Sequence, residues 1–430
     1  MSAAGILLSL AMIVLAALTA LLMIPVLVWL ERRVCGLIQD RLGPNRCNIK
    51  GFRLGGVVQS FADMIKLLSK EEYYPSHIGY ARWLFMLSPA ITFISALLAF
   101  MVIPFADDIS IDGRPFRMQA LPVEWGVLWY MAIASTGVMG ILFGGWLSHN
   151  KYSLLGALRS VSQTISYEIA LGLGVVSMLI TYDSIDFNRM VEWQSGTIMG
   201  VLPAWGIVVQ PLAAIVVITA LFVESNRAPF NVAEGESEIV AGFFTEYSAM
   251  KFALFFMGEY VAMNGASAVI VTMFFGGYQL PWLSTETLRE NFHIVALVAM
   301  VLLVPLTKSF LFWMKRNNSV GRRLSDDGGR EYESKILSRI TVGVFLLLEA
   351  LLLFSLFLPA GGGWSEAATA ILQIAIFMLK LMIFNIFFIV VRWTLPRFRY
   401  DQIQTLGWRY LLPAALANLL VSAIVVTGVS

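Results

Sequence analysis

The segment ESNRAPFNVAEGESEIVAGFFTE, residues 224–246, places five carboxylates and one arginine between two long apolar stretches, 199–223 and 247–275. Each stretch has the length needed to cross a bilayer, about 20 apolar residues. Charge is strongly disfavoured in hydrocarbon, so acids concentrated beside and inside membrane helices indicate an ion or proton route. The segment therefore predicts a membrane protein that carries a functional acid cluster.

The composition of the whole chain agrees with this interpretation. Hydrophobic residues make up 58% and charged residues 13% of the 430 positions, about half the charged share of a soluble domain. The predicted fold class is an all-α polytopic membrane protein with about ten transmembrane helices. Their predicted ranges are 5–30, 84–105, 126–147, 161–181, 199–223, 247–275, 292–314, 340–359, 369–391 and 410–429. Residues 1–30 are uncharged and follow no basic region, so we interpret them as the first span and not as a signal peptide.

The distribution of lysine and arginine predicts the orientation. If the loop after the first span faces the cytoplasm, 23 of the 30 basic residues lie on that side and four on the other. Cytoplasmic loops are enriched in Lys and Arg. We therefore expect a multi-pass protein of the cell's inner (plasma) membrane, with both termini on the non-cytoplasmic side and the acid segment facing the cytoplasm.

The first loop, 31–83, is predicted to contain a helix that lies flat on the membrane. Apolar residues recur at helical spacing over 57–70, with polar residues on the other side, a pattern typical of interfacial helices. Ahead of it, ERRVCGLIQDRLGPNR contains a Gly43-Pro44-Asn45 turn and four arginines. Plain positive-inside anchoring next to a surface helix is the alternative explanation.

Charged residues also fall inside predicted spans. Glu168 and Glu259 lie in the fourth and sixth spans, and Lys308 and Lys380 in two later ones. A row of buried carboxylates spaced for bridging waters could relay protons. Structural hydrogen bonding between helices, or lysines that extend to the interface, would explain the same residues without transport.

The chain shows no pattern for a bound redox centre. Cys35 and Cys47 form no CxxC pair, only three histidines exist, and no glycine-rich nucleotide loop is visible. We expect no metal, flavin or iron–sulfur cluster in this chain, so electrons for any redox reaction would arrive from another subunit. The net charge of +2 gives no indication of a nucleic-acid partner.

Five motifs, in order, resemble the family of the H-type membrane subunit of NADH-quinone oxidoreductase. They are ERRVCGLIQDRLGPNR, ADMIKLLSKE, GWLSHNKYSLLGALRSVSQTISYE, ESNRAPFNVAEGESEIVAGFFTEYSAMKFALFFMGEY and LPRFRYDQ. The resemblance covers 1–283 and 366–430. It implies a bundle of eight tilted helices that forms a quinone chamber with iron–sulfur subunits of a peripheral arm on the cytoplasmic side. It also implies contact with other membrane subunits, including antiporter-like ones.

The same resemblance implies roles for particular residues. Quinone-site residues would be Arg32, Arg33, Gln39, Arg41, Asp63, Arg227 and Phe230. Proton-transfer residues would be Glu168, Glu224, Glu234, Glu236, Glu238, Glu246 and Glu259. The substrate would be a quinone.

Three features depart from the family pattern. Asn231 and Ala233 stand where the family usually has aspartate and proline, and the first loop is longer between Asn45 and Gln59. Residues 284–365 hold two spans without a counterpart in the eight-helix pattern. We therefore divide the chain into 1–283, an inserted hairpin 284–365, and 366–430. In the hairpin, Lys308 and Glu349 are expected to pair directly or through water, although each could also remain alone.

The sequence thus predicts a membrane subunit that couples quinone reduction to proton translocation. The homologous subunit of an energy-converting hydrogenase or of a ferredoxin- or deazaflavin-linked dehydrogenase is one alternative. A stand-alone ion transporter is another, although no inverted repeat or broken-helix pair is evident.

Overall fold

The computed structural model describes residues 3–41, 43–49, 53–111, 114–198, 200–322, 329–356 and 363–429, and they are mostly helical. The α-helices are α1 (Ala3–Ile38), α2 (Val58–Ser69), α3 (Arg82–Phe100), α4 (Gly126–Leu147), α5 (Lys151–Tyr182), α6 (Phe187–Trp193), α7 (Gly206–Val209), α8 (Pro211–Glu224), α9 (Glu236–Ile239), α10 (Ala249–Phe274), α11 (Thr285–Glu290), α12 (Phe292–Arg322), α13 (Gly329–Leu356), α14 (Gly363–Thr394), α15 (Tyr400–Thr405) and α16 (Leu412–Val429). A π-helical turn, Leu406–Leu411, joins the last two.

Two short hairpins lie at one end of the bundle. Strand β1 (Ile109–Ile111) pairs antiparallel with β2 (Arg114–Phe116), and β3 (Thr197–Ile198) pairs with β4 (Leu202–Pro203). We call this the strand end. The opposite end, which we call the basic end, holds the loop between α1 and α3, the segment 225–248 and the turn between α14 and α15.

Nine helices in the described part of the chain are long and apolar enough to cross a membrane, which confirms the predicted fold class. The fifth predicted span, 199–223, is wrong as a continuous helix. It consists of β4, α7 and the 14-residue α8, and α8 rises only about 21 Å. The break follows from Pro211, which lacks an N–H and therefore favours the first position of a new helix.

Helix α10 is the centre of the bundle. It packs against α1, α2, α3, α6, α7, α8 and α14, and most of its residues are buried. Helices α3 and α4 approach one another closely beside it. The Ser88 hydroxyl donates to Gly140 O at 2.6 Å. A Cβ at position 140 would overlap Thr92 Oγ1, so only glycine permits this contact.

The helix predicted over 57–70 is confirmed as α2. Phe61, Met64, Ile65 and Leu68 form an exposed apolar side. On the polar side, Asp63 accepts a hydrogen bond from Gln59. The helix contacts α1 and α10, and its exposed apolar residues lie on the outside of the bundle.

Helices α12 and α13 pack against each other as the predicted hairpin. Their apolar residues are almost entirely exposed. At the strand end Phe292 and Ala296 form a small buried cluster with Ala368 of α14. Lys308 is exposed and makes no direct ion pair with Glu349, whose Oε1 is buried without a hydrogen-bond partner in the described residues. Direct pairing of these two charges is therefore not observed.

Candidate functional site

A buried group of charges, which we call the charge cluster, lies at the basic end and consists of Glu31, Arg227, Tyr260 and Arg392. Glu31 Oε2 accepts from Arg227 Nη1 at 3.0 Å and from the Tyr260 hydroxyl at 2.7 Å. Its other oxygen lies 2.7 Å from Arg392 Nη1. The Arg227 guanidinium also lies over the Tyr260 ring, 3.8 Å from its centroid. One carboxylate thus binds two cations, of which Arg227 is buried and Arg392 is partly exposed.

Three membrane helices and one loop position the charge cluster. Glu31 comes from the last turns of α1, Tyr260 from α10 and Arg392 from the end of α14. Arg227 follows the C-terminus of α8, where Asn226 adopts a positive φ. Only 2% of Arg227 is exposed. Positive φ is uncommon for a residue other than glycine, and here it accompanies the sharp turn between α8 and the loop.

The charge cluster leads to two acids on its inner side. Arg227 Nε lies 4.0 Å from Glu259 Oε2, and Glu234 is close enough to Glu259 to interact with it electrostatically. Asn231 Nδ2 donates to Glu234 Oε2 at 2.5 Å. Glu259 Oε1 is buried and has no hydrogen-bond partner among the described residues. A water molecule or a proton could therefore be accommodated at this oxygen.

Glu259 borders a cavity of about 60 Å³ between α3, α4, α8 and α10. Glu224 lies on its wall as well, together with Tyr130, Ser95 and Gly265. The lining is mainly apolar, and its polar groups include the two carboxyl groups, Ser95 and Tyr130. A space of this size can hold a few water molecules where such groups bind them. Two carboxylates from different helices therefore face the same space.

Glu168 extends this arrangement on the other side of Glu224. The two acids interact electrostatically, and Ser135 Oγ donates to Glu168 Oε1 at 2.8 Å. The order Glu234, Glu259, cavity, Glu224, Glu168 forms a row of acids through the bundle, which we call the acid row.

The remaining predicted proton-transfer acids lie apart from the acid row. Glu238 pairs with Arg159 Nη1 at 2.6 Å, and Glu246 Oε1 accepts from Asn150 Nδ2 at 2.7 Å. Both contacts attach the loop to the start of α5 and the turn that precedes it. Glu236 begins α9, and its side chain lies outside the described residues.

The predicted quinone-site residues fall into two groups. Arg32 and Asp63 form an ion pair at 2.5 Å, and Arg41 Nε donates to Gln39 at 2.7 Å. These residues, with Arg33, line the end of α1 and the adjoining loop. Arg227 and Phe230 are buried inside, and Phe230 stacks on Phe398 with ring centroids 5.4 Å apart. Arg227 joins the two groups through Glu31, which directly precedes Arg32.

The sequence interpretation missed Glu31, Tyr260 and Arg392. Two signals were available. Glu31 is the first charge after thirty uncharged residues, and Arg392 is the first after the apolar run of α14. The sequence places both residues at the ends of loops, because residue spacing does not show that the ends of two distant helices meet.

Comparison with known proteins identifies the family. The NADH dehydrogenase family model matches residues 10–320 and 331–423. The H-type subunit of the NADH-quinone oxidoreductase of Bdellovibrio bacteriovorus is 35% identical over 94% of this chain and 92% of its own length. The corresponding H-type subunit of Flavobacterium johnsoniae is 33% identical over 93% and 89%. Subunit 8 of the Rhodothermus marinus enzyme is 36% identical over 94% of this chain and 93% of its own length.

The chain belongs to the family of H-type subunits of NADH-quinone oxidoreductase. It is accordingly a multi-pass membrane subunit of a multi-subunit NADH-quinone oxidoreductase, and the predicted resemblance is confirmed. The match runs through both hairpin helices and omits 321–330. The relatives' names give no support to a hydrogenase subunit or a stand-alone transporter.

Proposed function

We propose that this oxidoreductase subunit forms part of the quinone site at the basic end and couples quinone reduction to proton translocation through the acid row. The cavity shared by Glu259 and Glu224 carries the proposal, because it supplies space for water beside two acids that belong to different helices. Such a gap can transmit protons only when water fills it.

The proposed quinone path starts at the lipid-exposed apolar side of α2 and passes the end of α1. The exposed residues Phe61, Ile65 and Leu68 would contact the quinone tail or lipid. The Arg32–Asp63 pair and Arg41 would border the polar headgroup, since guanidinium groups can hydrogen-bond a quinone oxygen. Beyond them lies the charge cluster.

Quinone reduction consumes two electrons and two protons and yields a quinol. In our proposal, the electrons come from an iron–sulfur centre held by a peripheral-arm subunit on the cytoplasmic side. Negative charge that develops on the reduced headgroup would attract Arg227 and weaken its hold on Glu31. In a region of low dielectric constant, such a change of charge acts strongly on neighbouring carboxyl groups.

The acids next to Arg227 would respond by changing proton occupancy. Glu234 and Glu259 would take up a proton when Arg227 shifts away. That proton would then cross the cavity to Glu224 and reach Glu168, where α5 borders other membrane subunits of the complex, antiporter-like ones included. This chain would contribute the charges and the route but no redox centre.

The decisive experiment is to narrow the cavity without removing any acid. A Cβ at Gly265 would lie 3.6 Å from the Tyr130 ring, an ordinary contact, so Gly265→Ala should fold while reducing the space for water. We expect quinone-linked proton pumping in proteoliposomes to fall several-fold in the assembled complex. Gly172→Ala is the matched control, since a Cβ there meets only Met131 at 3.8 Å.

Glu224→Gln tests the same proton transfer by removing a carboxyl group and leaving the cavity volume nearly unchanged. It should preserve shape and assembly while pumping falls, and Glu224→Asp should restore more pumping than Gln does. Wild-type pumping in both the Gly265→Ala and the Glu224→Gln complexes would refute the route through the cavity.

A further inference from the structure

A second line of polar side chains, which we call the polar column, leaves the charge cluster in the direction of the strand end. Tyr260, Asn264 and Ser267 lie at intervals of about one turn on one side of α10. Asn385 of α14 faces them. Its Nδ2 donates to Asn264 Oδ1 at 2.8 Å, and its Oδ1 accepts from Ser267 Oγ at 3.1 Å. The polar column therefore continues where a membrane bundle is ordinarily apolar.

The polar column is buried but not fully satisfied. Asn264, Ser267 and Asn385 have no exposed surface. Asn264 Nδ2 lacks a hydrogen-bond partner within the described ranges. A buried amide hydrogen without a partner is unfavourable, and a water molecule beside it would satisfy the group. Such water would extend a proton-conducting path away from the acid row.

Lys380 of α14 lies beyond the polar column, nearer the strand end. It lies five residues before Asn385, about 7.5 Å along the helix axis. Its ammonium donates to Phe275 O at 2.8 Å, Gly277 O at 2.9 Å and Gln279 O at 2.6 Å. An ammonium has three protons, so all its donors are used. Lys380 thus holds the segment that follows the C-terminal end of α10.

The charge of Lys380 is not cancelled by a nearby acid. Within the residues that the structure describes, no carboxylate acts on it electrostatically. Its other close neighbour is the Trp205 ring, 5.0 Å from Nζ. Carbonyl dipoles stabilise the protonated form of the side chain. While it is protonated, the ammonium places a positive charge beyond the end of the polar column.

Acids lie directly beyond this barrier at the strand end. The Tyr278 hydroxyl is 3.4 Å from Asp107, and Asp107 influences both Asp108 and Glu192. Burial raises the pKa of Asp108, with a further contribution from Asp107. Burial also raises the pKa of Glu192. These groups can exchange protons with the solvent on that side, so Lys380 separates two regions that both hold protons.

We propose that Lys380 is an electrostatic barrier that prevents protons from crossing the protein along the polar column and so directs them into the acid row. The inference rests on the proposed function. A fixed positive charge repels a hydrated proton, and channels use basic side chains in the same way to exclude protons. Because the ammonium is held by backbone carbonyls, it stays in place without a carboxylate that could itself carry protons.

The test compares passive proton leak in proteoliposomes that hold the assembled complex without NADH or quinone. An imposed pH gradient, with valinomycin and potassium to remove the membrane potential, makes the leak visible without turnover. Three variants separate charge from hydrogen bonding: Lys380→Arg keeps the charge, Lys380→Gln keeps donors for the carbonyls, and Lys380→Met keeps neither.

The rate of passive proton leak should depend on the positive charge at residue 380. We expect Gln and Met complexes to lose the gradient faster by on the order of tenfold, the scale of removing one charge several ångströms from the proton in a protein interior, while Arg stays tight. Asn385→Leu combined with Lys380→Gln should restore tightness, because leucine fills the polar column. A tight Gln complex would show that Lys380 only caps α10 and would overturn the barrier.

The outcome is separable from that of the proposed function. The leak is measured without quinone turnover, whereas Gly265→Ala and Glu224→Gln test pumping during turnover. If those two variants pump normally while Lys380→Gln leaks, the barrier stands and the acid-row mechanism fails. If they pump poorly while Lys380→Gln stays tight, the barrier fails alone.

Discussion

At the scale of single residues, Glu31 determines the balance of charge at the proposed quinone site. Its two oxygens bind Arg227, Arg392 and the Tyr260 hydroxyl. Removing one partner of a buried ion pair leaves an uncompensated charge and commonly destabilises a protein by about 3–5 kcal/mol. Here two cations would lose their partner at once.

We therefore expect Glu31→Gln to lower the thermal stability of the assembled complex. The rate of quinone reduction should fall by on the order of tenfold or more, and each factor of ten corresponds to about 1.4 kcal/mol in activation free energy. NADH oxidation by a water-soluble artificial acceptor should continue, because that reaction bypasses the membrane subunit. Glu31→Asp, which keeps the charge, is the control. Unchanged quinone reduction in an assembled Glu31→Gln complex would exclude this role.

The sequence resemblance predicts an aspartate at the position of Asn231, which contacts Glu234 directly. The amide gives Glu234 a hydrogen-bond donor that does not titrate. Asn231→Asp would place a second carboxylate there, and neighbouring carboxylates retain protons more tightly than isolated ones. We expect the acidic limb of the pH profile of quinone-linked turnover to move to higher pH by about one unit.

Asn231→Leu serves as the comparison, because it removes the donor without adding charge. Its acidic limb should move less than that of Asn231→Asp. Identical profiles for Asn231→Asp and the wild type would show that proton transfer at Glu234 does not limit turnover.

At the scale of elements, a small clamp attaches the first loop to the start of α10. Lys251 Nζ lies 3.0 Å from Glu72 Oε2 and 3.3 Å from the centroid of the Tyr74 ring. The Tyr74 hydroxyl donates to Glu72 at 2.5 Å. The hydrogen bond from Tyr74, followed by Lys251, lowers the pKa of Glu72 from its ordinary value of 4.5.

The sign of the pH effect follows from that direction. A carboxyl group whose pKa is lowered by folding contributes stability above its ordinary pKa, and this contribution is lost as the pH falls through the lowered value. We expect hydrogen-exchange protection of residues 71–76 to be constant near neutrality and to decrease below about pH 4.5. In the Glu72→Gln variant, hydrogen-exchange protection of these residues should be low at every pH. If the variant still loses protection as the pH falls, a group other than Glu72 causes the effect.

The elements also show what the sequence could and could not predict. Apolar length located the nine long helices, and helical spacing located α2, since both patterns are local. The broken segment before α8 was missed because 199–223 has the composition of a span, although Pro211 and the preceding Gln210 interrupt it. The charge cluster was missed because it unites the ends of α1 and α14 with α10, and no local pattern reports such a meeting.

At the scale of the whole molecule, the alternation of helices places the loop 39–81, the segment 225–248 and the turn after α14 at one end. The lysine and arginine distribution predicts that this end faces the cytoplasm. Single cysteines introduced at this end, after replacement of Cys35 and Cys47, should be inaccessible to an impermeant reagent in intact cells. A cysteine between β3 and β4 should react. The reverse pattern would invert the proposed orientation.

The hairpin of α12 and α13 gives the last prediction at this scale. Almost none of its apolar residues are buried. At the strand end, Phe292 and Ala296 contact Ala368 of the bundle. At the basic end, α13 contacts the turn Leu54–Gly56. None of these contacts involves the charge cluster or the acid row. Replacing 288–364 by a short flexible linker should therefore lower stability while quinone reduction in the assembled complex stays within about twofold, less than 0.5 kcal/mol in activation free energy.

Removing α12 alone provides the control. A pair of spans returns the chain to the side from which it started, whereas a single remaining span reverses everything that follows. The α12 deletion should invert α14, remove Arg392 from Glu31 and prevent assembly, although it deletes fewer residues than removal of the pair. If the deletion of 288–364 assembles fully but abolishes quinone reduction, the hairpin takes part in the quinone path, and its contact with Leu54–Gly56 is the place where that participation would begin.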